Sequence, residues 1–245
     1  MNIKRLGKAL AVVGCLGVGL CLLSVYTHKA APTRVKVPAT RYHGYEINRL
    51  SISKAKDFTV LISREGFGGV SRGTGVLIDS KHVLTCAHVA EGGEDPLWIY
   101  PFPGKTVVKG LPVFLNKNDD LAVLELDTEV IIPHYATFQE MHYDGQPITV
   151  IGNTLGSMQW FVTFGIISGA TEGYILTDAV LYGGNSGGPW INEQGEIVAL
   201  TDWTLLYHHK EADIHGGISA KTIHAFLKRW KAPSIGELIQ MMIGG

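Results

Sequence analysis

Short apolar runs rich in Val, Ile, Leu and Thr recur from residue 47 onward and are separated by Gly, Asp and Asn. Runs of about four to eight residues bounded by turn-forming residues are typical of β-strands. The segments that we interpret as strands are residues 58–62, 74–79, 82–85, 96–100, 121–126, 148–152, 161–168, 174–178 and 196–203. No long alternation of strand and helix patterns is present, which disfavours a parallel α/β fold. The pattern predicts an all-β protein, either a sandwich or barrels.

Helical periodicity is convincing only near the C-terminus, in residues 219–230. Ser219 is suited to cap the start of this helix. One face of the helix collects the apolar side chains Ile223, Phe226, Leu227 and Trp230. A second short helix is predicted within residues 235–243. Residues 131–144 interrupt the strand pattern and include Pro133, so we interpret them as a linker between two strand-rich halves.

An uncharged apolar run of residues 9–27 follows three basic residues, Lys4, Arg5 and Lys8. A helix of this length spans roughly 28 Å at ~1.5 Å per residue, close to the ~30 Å hydrocarbon core of a membrane. We favour an uncleaved signal anchor for residues 1–27, with the rest of the chain outside the cytoplasm, in the periplasm or the extracellular space. A cleaved signal peptide, which would release a secreted protein, is the main alternative. Lipidation at Cys15 ranks third.

Residues 28–44 hold two prolines and scattered basic residues without a clear period, and we interpret them as a linker. The overall balance of 21 basic and 22 acidic residues gives no general attraction to nucleic acid. Only Cys86 lies beyond the apolar run, so the folded part has no internal disulfide. Its stability must come from packing, and Cys86 is expected to be a small buried hydrophobe.

The sequence GNSGGP at residues 184–189 surrounds Ser186 with glycines. A glycine cluster implies an unusual backbone path, because glycine adopts conformations that other residues avoid. One such path exposes a serine hydroxyl and turns backbone N–H groups toward the place where negative charge develops on a substrate oxygen. The alternative is a glycine-rich turn with a solvated serine. A general base and a carboxylate elsewhere in the chain would favour the first interpretation.

Two further positions supply these groups. His88 follows an apolar β-branched strand within three residues, at a junction where a general base would lie on a rigid element near the surface. Asp119 and Asp120 directly precede the apolar run 121–126, and Asp120 is the nearer to it. A carboxylate at a strand start can be partly buried, as one that orients an imidazolium must be. The alternatives are a surface histidine and two aspartates that only end a turn.

A metal site built from His208, His209 and His215 is a weaker hypothesis. Adjacent histidines point to opposite faces of a strand, and no cysteine or carboxylate completes a ligand set. We therefore expect these to be loop residues, and we predict no metal and no cofactor.

The segments TCAHV around His88, DLAVL from Asp120 and GNSGGP around Ser186 resemble those of the chymotrypsin-fold serine peptidases. They occur in the family order His, Asp, Ser. LTDAVLYGGNSGGPW, GTGVLID and GISAKTIHAFL are most similar to the Deg/HtrA-type branch, and the resemblance covers about residues 58–230. It implies two antiparallel six-stranded β-barrels with a C-terminal helix and an active site in the cleft between the barrels. The implied peptidase domain spans residues 45–232, with barrel one at about 45–130, barrel two at about 144–220, the helix at 219–231 and a tail at 233–245.

The resemblance also implies roles for individual residues. Ser186 would be the nucleophile, His88 the general base and Asp120 the carboxylate that orients His88. Gly184, Asn185 and Ser186 would form the oxyanion hole, with the N–H groups of Gly184 and Ser186 as donors. The next two glycines, Gly187 and Gly188, would leave room for substrate backbone. The implied activity is hydrolysis of peptide bonds in protein or peptide substrates.

By the same resemblance, the pocket for the residue before the scissile bond is lined by Val180, Leu181, Thr201 and Trp203. Val180 and Leu181 carry no charge, so a buried basic side chain from the substrate would be costly to desolvate. Because side chains alternate along a strand, we expect Thr201 and Trp203 to face the substrate and Asp202 to point away. The predicted preference is a small or medium apolar residue.

Two features differ from the wider family. Asn185 stands before the serine where the digestive branch has aspartate, and no internal IVGG-like terminus is visible. Activation by a new N-terminal ammonium is therefore not expected. About fifteen residues follow Trp230, too few for the PDZ domain usual in the Deg/HtrA type. The rival hypothesis is a catalytically silent chymotrypsin-like domain that acts as a membrane-tethered binding module.

Overall fold

The computed structural model describes residues 41–42, 45–46, 48–66, 69–93, 95–102, 105–154, 158–202 and 215–232. The predicted anchor, most of the predicted linker, Trp203, the adjacent pair His208 and His209, and the predicted second helix lie outside these residues. In the part of the chain that the structure describes, no helix has the length and apolar character needed to cross a membrane.

Two short strands and a helix precede the first barrel. They are β1 (Arg41–Tyr42), β2 (Tyr45–Glu46) and α1 (Arg49–Phe58). We did not predict α1. Asn48 caps it, because Asn48 Oδ1 accepts hydrogen bonds from the N–H groups of Leu50 (3.1 Å) and Ser51 (3.2 Å). Only Ser51, Ala55 and Phe58 are buried along the helix, so its apolar face is too sparse to give a strong periodic signal.

Barrel one is a closed, antiparallel, six-stranded sheet with the order β3-β4-β5-β8-β7-β6. Its strands are β3 (Thr59–Gly66), β4 (Gly69–Leu77), β5 (His82–Cys86), β6 (Leu97–Tyr100), β7 (Val108–Asn116) and β8 (Leu121–Leu126). A short helix, α2 (Ala87–Ala90), follows β5 directly. Because β5 pairs with β8, the end of β5 lies beside the start of β8.

Barrel two is also closed and six-stranded, with the order β10-β11-β14-β13-β12-β9. Its strands are β9 (Pro147–Thr154), β10 (Met158–Thr171), β11 (Tyr174–Thr177), β12 (Pro189–Ile191), β13 (Ile197–Asp202) and β14 (His215–Ser219). Helix α3 (Ala220–Trp230) follows, and Ser219 Oγ accepts from the Thr222 N–H as its cap (3.2 Å). The predictions of two six-stranded barrels, of the C-terminal helix and of its Ser219 cap are confirmed.

The apolar core is continuous between the barrels. One cluster fills barrel one and extends through Ile151 and Leu200 into barrel two, while a second cluster surrounds the fully buried Trp190. Burial of each large apolar side chain contributes about 1.5–3 kcal/mol. This packing fixes the two barrels against each other, so loops at their junction can hold a precise geometry.

Helix α3 follows barrel two in the chain, contacts its strands β13 and β14, and also packs on barrel one. The Phe226 ring lies 5.0 Å from that of Phe114, and the Trp230 ring lies 4.8 Å from that of His82. Helix α1 precedes barrel one in the chain and contacts barrel two, because Ser51 Oγ donates to the Glu193 carbonyl between β12 and β13 (2.6 Å). The helices therefore fasten each barrel to the other.

Candidate active site

His88 and Asp120 are brought together by the β5–β8 pairing. Cys86, the last residue of β5, pairs with Leu121, the first of β8. Two residues beyond Cys86, His88 Nδ1 lies 2.6 Å from Asp120 Oδ2. The same carboxylate accepts from the His88 backbone N–H through Oδ1 (3.0 Å), and the Asp120 carbonyl accepts from the Ala87 N–H (3.0 Å). Three contacts thus hold Asp120 against Ala87 and His88, and two of them involve its carboxylate.

The turn before β8 gives Asp120 its orientation. Asn116 Oδ1 accepts from the N–H groups of Asn118 (2.8 Å) and Asp119 (3.2 Å), which folds the chain back on itself. Asp120 then takes a left-handed conformation with φ +49°. Aspartate tolerates this region better than most side chains. An ion pair between Arg229 of α3 and the neighbouring Asp119 holds the turn from outside.

The pKa of His88 is raised from its ordinary value of 6.5, chiefly by the hydrogen bond to Asp120. Partial burial opposes the shift, whereas the negative charges of Asp120, Asp202 and Glu91 add to it. The side chains of His88 and Asp120 are 37% and 15% exposed, so the imidazole is open to solvent while the carboxylate is sheltered. With Nδ1 engaged by Asp120, Nε2 is the nitrogen left to exchange a proton with another group.

Ser186 lies in the loop between β11 and β12. Within the part of the chain that the structure describes, neither the Gly184 N–H nor the Ser186 N–H donates a hydrogen bond. The Asn185 N–H between them donates to the Tyr182 carbonyl (3.1 Å). Gly184 has φ +96°, which a residue with a Cβ rarely adopts. The arrangement leaves two N–H groups available to an anionic oxygen.

The glycines after Ser186 have a different role from the one predicted. A Cβ at Gly187 would lie 2.2 Å from the Thr74 carbonyl oxygen and 2.4 Å from Thr85 Oγ1, and a Cβ at Gly188 would lie 2.4 Å from the Ile151 carbonyl oxygen. They make room for the protein's own chain, so the prediction that they make room for substrate backbone is wrong. Because these residues have no side chains, the serine loop can lie against Thr74 of β4 and the end of β5.

Among the described residues, no hydrogen bond joins Ser186 Oγ to His88. Catalytic hydrogen bonds are often long before substrate binds. The segments that carry His88 and Ser186 are nevertheless linked through one carbonyl of β13. The Cys86 thiol and the Gly187 N–H both contact the Thr201 carbonyl, at 3.3 Å and 2.9 Å.

Thr74 of β4 is a site residue that the sequence analysis missed. Its N–H donates to the Ser186 carbonyl (2.9 Å), and its hydroxyl donates to the Gly184 carbonyl (2.7 Å). Asn153 approaches the same hydroxyl from β9 through its backbone and side-chain nitrogens (3.0 and 3.1 Å). The available signal was a polar residue between two glycines in GTGVL, directly before an apolar run.

The Asn185 side chain is buried and has a neutral partner. Its Oδ1 accepts from Thr154 Oγ1 (2.8 Å). A Cβ at Gly152 would lie only 2.6 Å from this oxygen, so the glycine provides the space that the amide occupies. Among the described residues, no charged group bonds to Asn185.

The predicted pocket residues do not share one environment. Val180 is 48% exposed, whereas Leu181 is buried in the core cluster around Trp190. Thr201 also points into barrel two, because its Oγ1 accepts from Trp190 Nε1 (2.9 Å). Asp202 is buried on the other side of β13, and its charge acts on His88. Thr201 and Asp202 are both buried on opposite sides of β13, so the expectation that Thr201 faces substrate and Asp202 points away stays a prediction.

The ligating atoms of Cys86, His88 and Asp120 lie within 4.8 Å of one another, a spacing that would suit a metal ion. Cys86 is fully buried, as predicted, and burial raises the pKa of its thiol well above the ordinary value. Metals bind the thiolate, so this shift disfavours such a site. Among the residues proposed for a histidine site, His215 lies buried in β14.

Comparison with known proteins matches this fold and loop arrangement to a family. Residues 73–200, more than half of the chain, match the model of the trypsin-like peptidase domain. The chain belongs to this family. The match begins just before Thr74 and includes His88, Asp120 and Ser186.

The chain is 28% identical to the serine protease Do-like HtrA of Lactobacillus helveticus, over 67% of this chain and 41% of that protein. It is 32% identical to the serine protease Do-like HtrB of Bacillus subtilis, over 50% of this chain and 30% of that protein. The crystal structure of the serine endoprotease from Yersinia pestis shares its fold, with a TM-score of 0.67 and 24% identity over 79% of this chain and 67% of that chain. The matched region thus spans less than half the length of these two curated relatives.

Proposed function

We propose that the chain is a serine endopeptidase of the HtrA/Deg type. The observation that carries the proposal is the 2.6 Å contact between His88 Nδ1 and Asp120 Oδ2, together with a serine loop in which two N–H groups donate to none of the described residues. A base with an engaged Nδ1, a nucleophile and a pair of aligned donors are the parts that acyl transfer requires. The names of the relatives, which describe serine proteases, support the same reaction class.

In the proposed mechanism, Ser186 Oγ attacks the carbonyl carbon of the scissile bond and its proton passes to His88 Nε2. The substrate oxygen becomes an anion between the N–H groups of Gly184 and Ser186, where each donor contributes about 2.7–4 kcal/mol. Asp120 stabilises the imidazolium and stays ionised. His88 then returns the proton to the leaving amine, and the acyl-enzyme forms. Water, deprotonated by His88, attacks the ester carbonyl, and His88 returns that proton to Ser186 Oγ as the bond to the acyl group breaks and the acid product leaves.

The test of this function uses the full-length chain and fluorescently quenched β-casein as the probe. We expect wild-type cleavage, with Ser186→Ala and His88→Ala each reducing the rate to near background because triad residues act as a unit. Ser186→Ala should keep the circular dichroism spectrum, since it removes a single oxygen. Wild-type turnover by Ser186→Ala would contradict the mechanism and favour the silent binding module.

We also propose that the domain is active without an internal cut. The neutral Asn185 bonds to the Thr154 hydroxyl, so the loop is held without a newly formed ammonium group. Intact mass spectrometry of freshly purified, active protein decides this. Activity that requires cleavage within residues 45–232 would contradict it.

We propose that the substrate residue before the scissile bond is small or medium and apolar. Val180 supplies an uncharged, exposed wall next to the serine loop. The nearby carboxylate of Asp178 is engaged, because its Oδ1 accepts from the Ile166 N–H (2.7 Å). Cleavage of a peptide library should show Val, Ala or Leu at this position. A dominant preference for Lys or Arg would contradict the proposal.

Finally, we propose that residues 9–27 anchor the chain in a membrane with residues 45–230 on the non-cytoplasmic side. The uncharged length and the basic leader motivate this. The protein should stay in the pellet after carbonate extraction, and a reporter fused to the C-terminus should be active only outside the cytoplasm. Release by carbonate, or a cytoplasmic reporter, would contradict the topology.

A further inference from the structure

The hydroxyl of Thr74 has a fully assigned set of hydrogen bonds. A threonine hydroxyl has one proton to donate and two acceptor positions. Asn153 fills the acceptor side with its backbone N–H (3.0 Å) and its amide Nδ2 (3.1 Å). The single proton therefore goes to the Gly184 carbonyl, at 2.7 Å. Thr74 is 0% exposed, so no solvent competes for these bonds.

The group that Thr74 holds through its hydroxyl is the Gly184–Asn185 peptide, which lies between the two donor N–H groups. The Gly184–Asn185 peptide is held at its oxygen by Thr74 Oγ1 and at its nitrogen by the Tyr182 carbonyl (3.1 Å). One residue further on, the Thr74 N–H holds the Ser186 carbonyl (2.9 Å). Residue 74 thus contacts the chain once between the N–H groups of Gly184 and Ser186 and once directly after the second of them.

This restraint matters because glycine itself resists little rotation. Gly184 has φ +96°, and with no Cβ it can leave that conformation at small energetic cost. A rotation of the Gly184 backbone would swing its N–H away from the oxyanion position. A hydroxyl supplied by barrel one, which the continuous core holds in place, opposes that rotation.

We propose that Thr74 is a positioning residue whose hydroxyl, aligned by Asn153, keeps the Gly184 and Ser186 N–H groups directed at the oxyanion. This inference rests on the proposed peptidase function. It links a strand of barrel one to transition-state stabilisation in a loop of barrel two.

The test compares Thr74→Val, which removes the hydroxyl at nearly constant shape, with Thr74→Ser, which keeps it. The control is Thr59→Val, since Thr59 is another fully buried threonine of barrel one whose hydroxyl donates to a carbonyl, that of Ala55 (2.7 Å). Initial rates of β-casein cleavage by the full-length proteins give kcat and KM, at a temperature where each variant is folded by circular dichroism. We expect Thr74→Val to lower kcat about 10²–10³-fold with KM nearly unchanged, as loss of one oxyanion donor does. Thr74→Ser and Thr59→Val should keep kcat within about threefold.

The outcomes separate this inference from the proposed function. A wild-type chain without turnover contradicts the function itself. With an active wild type, unchanged kcat in Thr74→Val, or an equal loss in Thr74→Ser, overturns the positioning role. If Thr74→Val does not fold, Thr74→Ala takes its place with the same expected loss of kcat. Failure of both to fold, while Thr59→Val folds, would show that the hydroxyl serves folding and would also overturn the inference.

Discussion

His88 Nδ1 lies 2.6 Å from Asp120 Oδ2, and the backbone N–H of the same histidine donates to the other carboxylate oxygen at 3.0 Å. The carboxylate therefore holds both the ring and the main chain of one residue. Imidazole rotation would break the first contact, while the second would keep the carboxylate in place. The tautomer with Nε2 open to the cleft is stabilised, and the pH dependence of the site follows from this pair.

The acid limb of kcat/KM should have its midpoint above pH 6.5, because the pKa of His88 is raised by its hydrogen bond to Asp120. A general base must be neutral, so activity rises as pH passes through that pKa. The measurement is β-casein hydrolysis at constant ionic strength between about pH 5 and 9, a range that brackets the pKa of a histidine. A midpoint below 6 would contradict the assignment of His88 as the base.

The His88–Asp120 pair affects the stability of the fold in the opposite direction from activity as the pH rises. The folded state favours protonated His88, so the stability gained from the pair is present below about pH 6.5 and lost as pH rises through the higher folded pKa.

Replacement of Asp202 by Asn should move the acid limb to lower pH. The buried Asp202 carboxylate raises the pKa of His88 by its charge, and an amide removes that charge at nearly constant volume. The matched control is Glu91→Gln, since Glu91 is exposed and its charge contributes less to the same shift. The limb should move further for Asp202→Asn than for Glu91→Gln. Identical pH profiles of kcat/KM for Asp202→Asn and wild type would show that the charge of Asp202 does not affect the pKa of His88.

Gly187→Ala should abolish activity and reduce stability, whereas Gly183→Ala should be tolerated. At Gly187, with φ +80°, a Cβ would lie 2.2 Å from the Thr74 carbonyl oxygen. At Gly183, nothing lies within 4 Å of the same position. Thermal unfolding and β-casein cleavage of the two variants provide the comparison. An active, stable Gly187→Ala protein would mean that the serine loop does not sit against β4 and β5 as described.

Asn185→Asp should destabilise the fold at neutral pH and less so in acid. The new carboxylate would be buried beside the Thr154 hydroxyl without a described cation, so its charged form is disfavoured and its proton is retained more readily. Urea denaturation at pH 7 and at pH 5 gives the free energy of unfolding of the variant and of the wild type. We expect a loss of about 1–3 kcal/mol at pH 7, typical of an unsatisfied buried polar group, and a smaller one at pH 5. A variant as stable as wild type at pH 7 would imply that a cation approaches this position.

The sequence pattern predicted the barrels well where strands are apolar throughout. Each predicted strand overlaps an observed one, and the groups proposed for catalysis lie at strand ends or in the glycine loop as expected. The missed strands are those with weak signals. Strand β7 contains Gly110 and Pro112 and has an irregular register near Pro112, β12 has three residues, and β14 consists of the five residues HGGIS.

The details that sequence could not supply depend on contacts between distant segments. Thr74 is recognisable as a site residue only once β4 is seen against the serine loop, which lies more than a hundred residues away. The direction of Asp202 depends on the strand register, and a shift of one residue reverses every side chain. The role of Gly187 depends on the close approach of Thr74 and Thr85 from barrel one.

The most direct test of the central claim, that Ser186 is a nucleophile activated by His88, is labelling of the full-length chain with a fluorophosphonate. Intact mass and peptide mapping locate the adduct. We predict one adduct per chain on Ser186, no adduct in Ser186→Ala, and labelling slowed strongly in a folded His88→Ala variant. An unlabelled Ser186 in folded wild-type protein, or equal labelling of His88→Ala, would contradict the account.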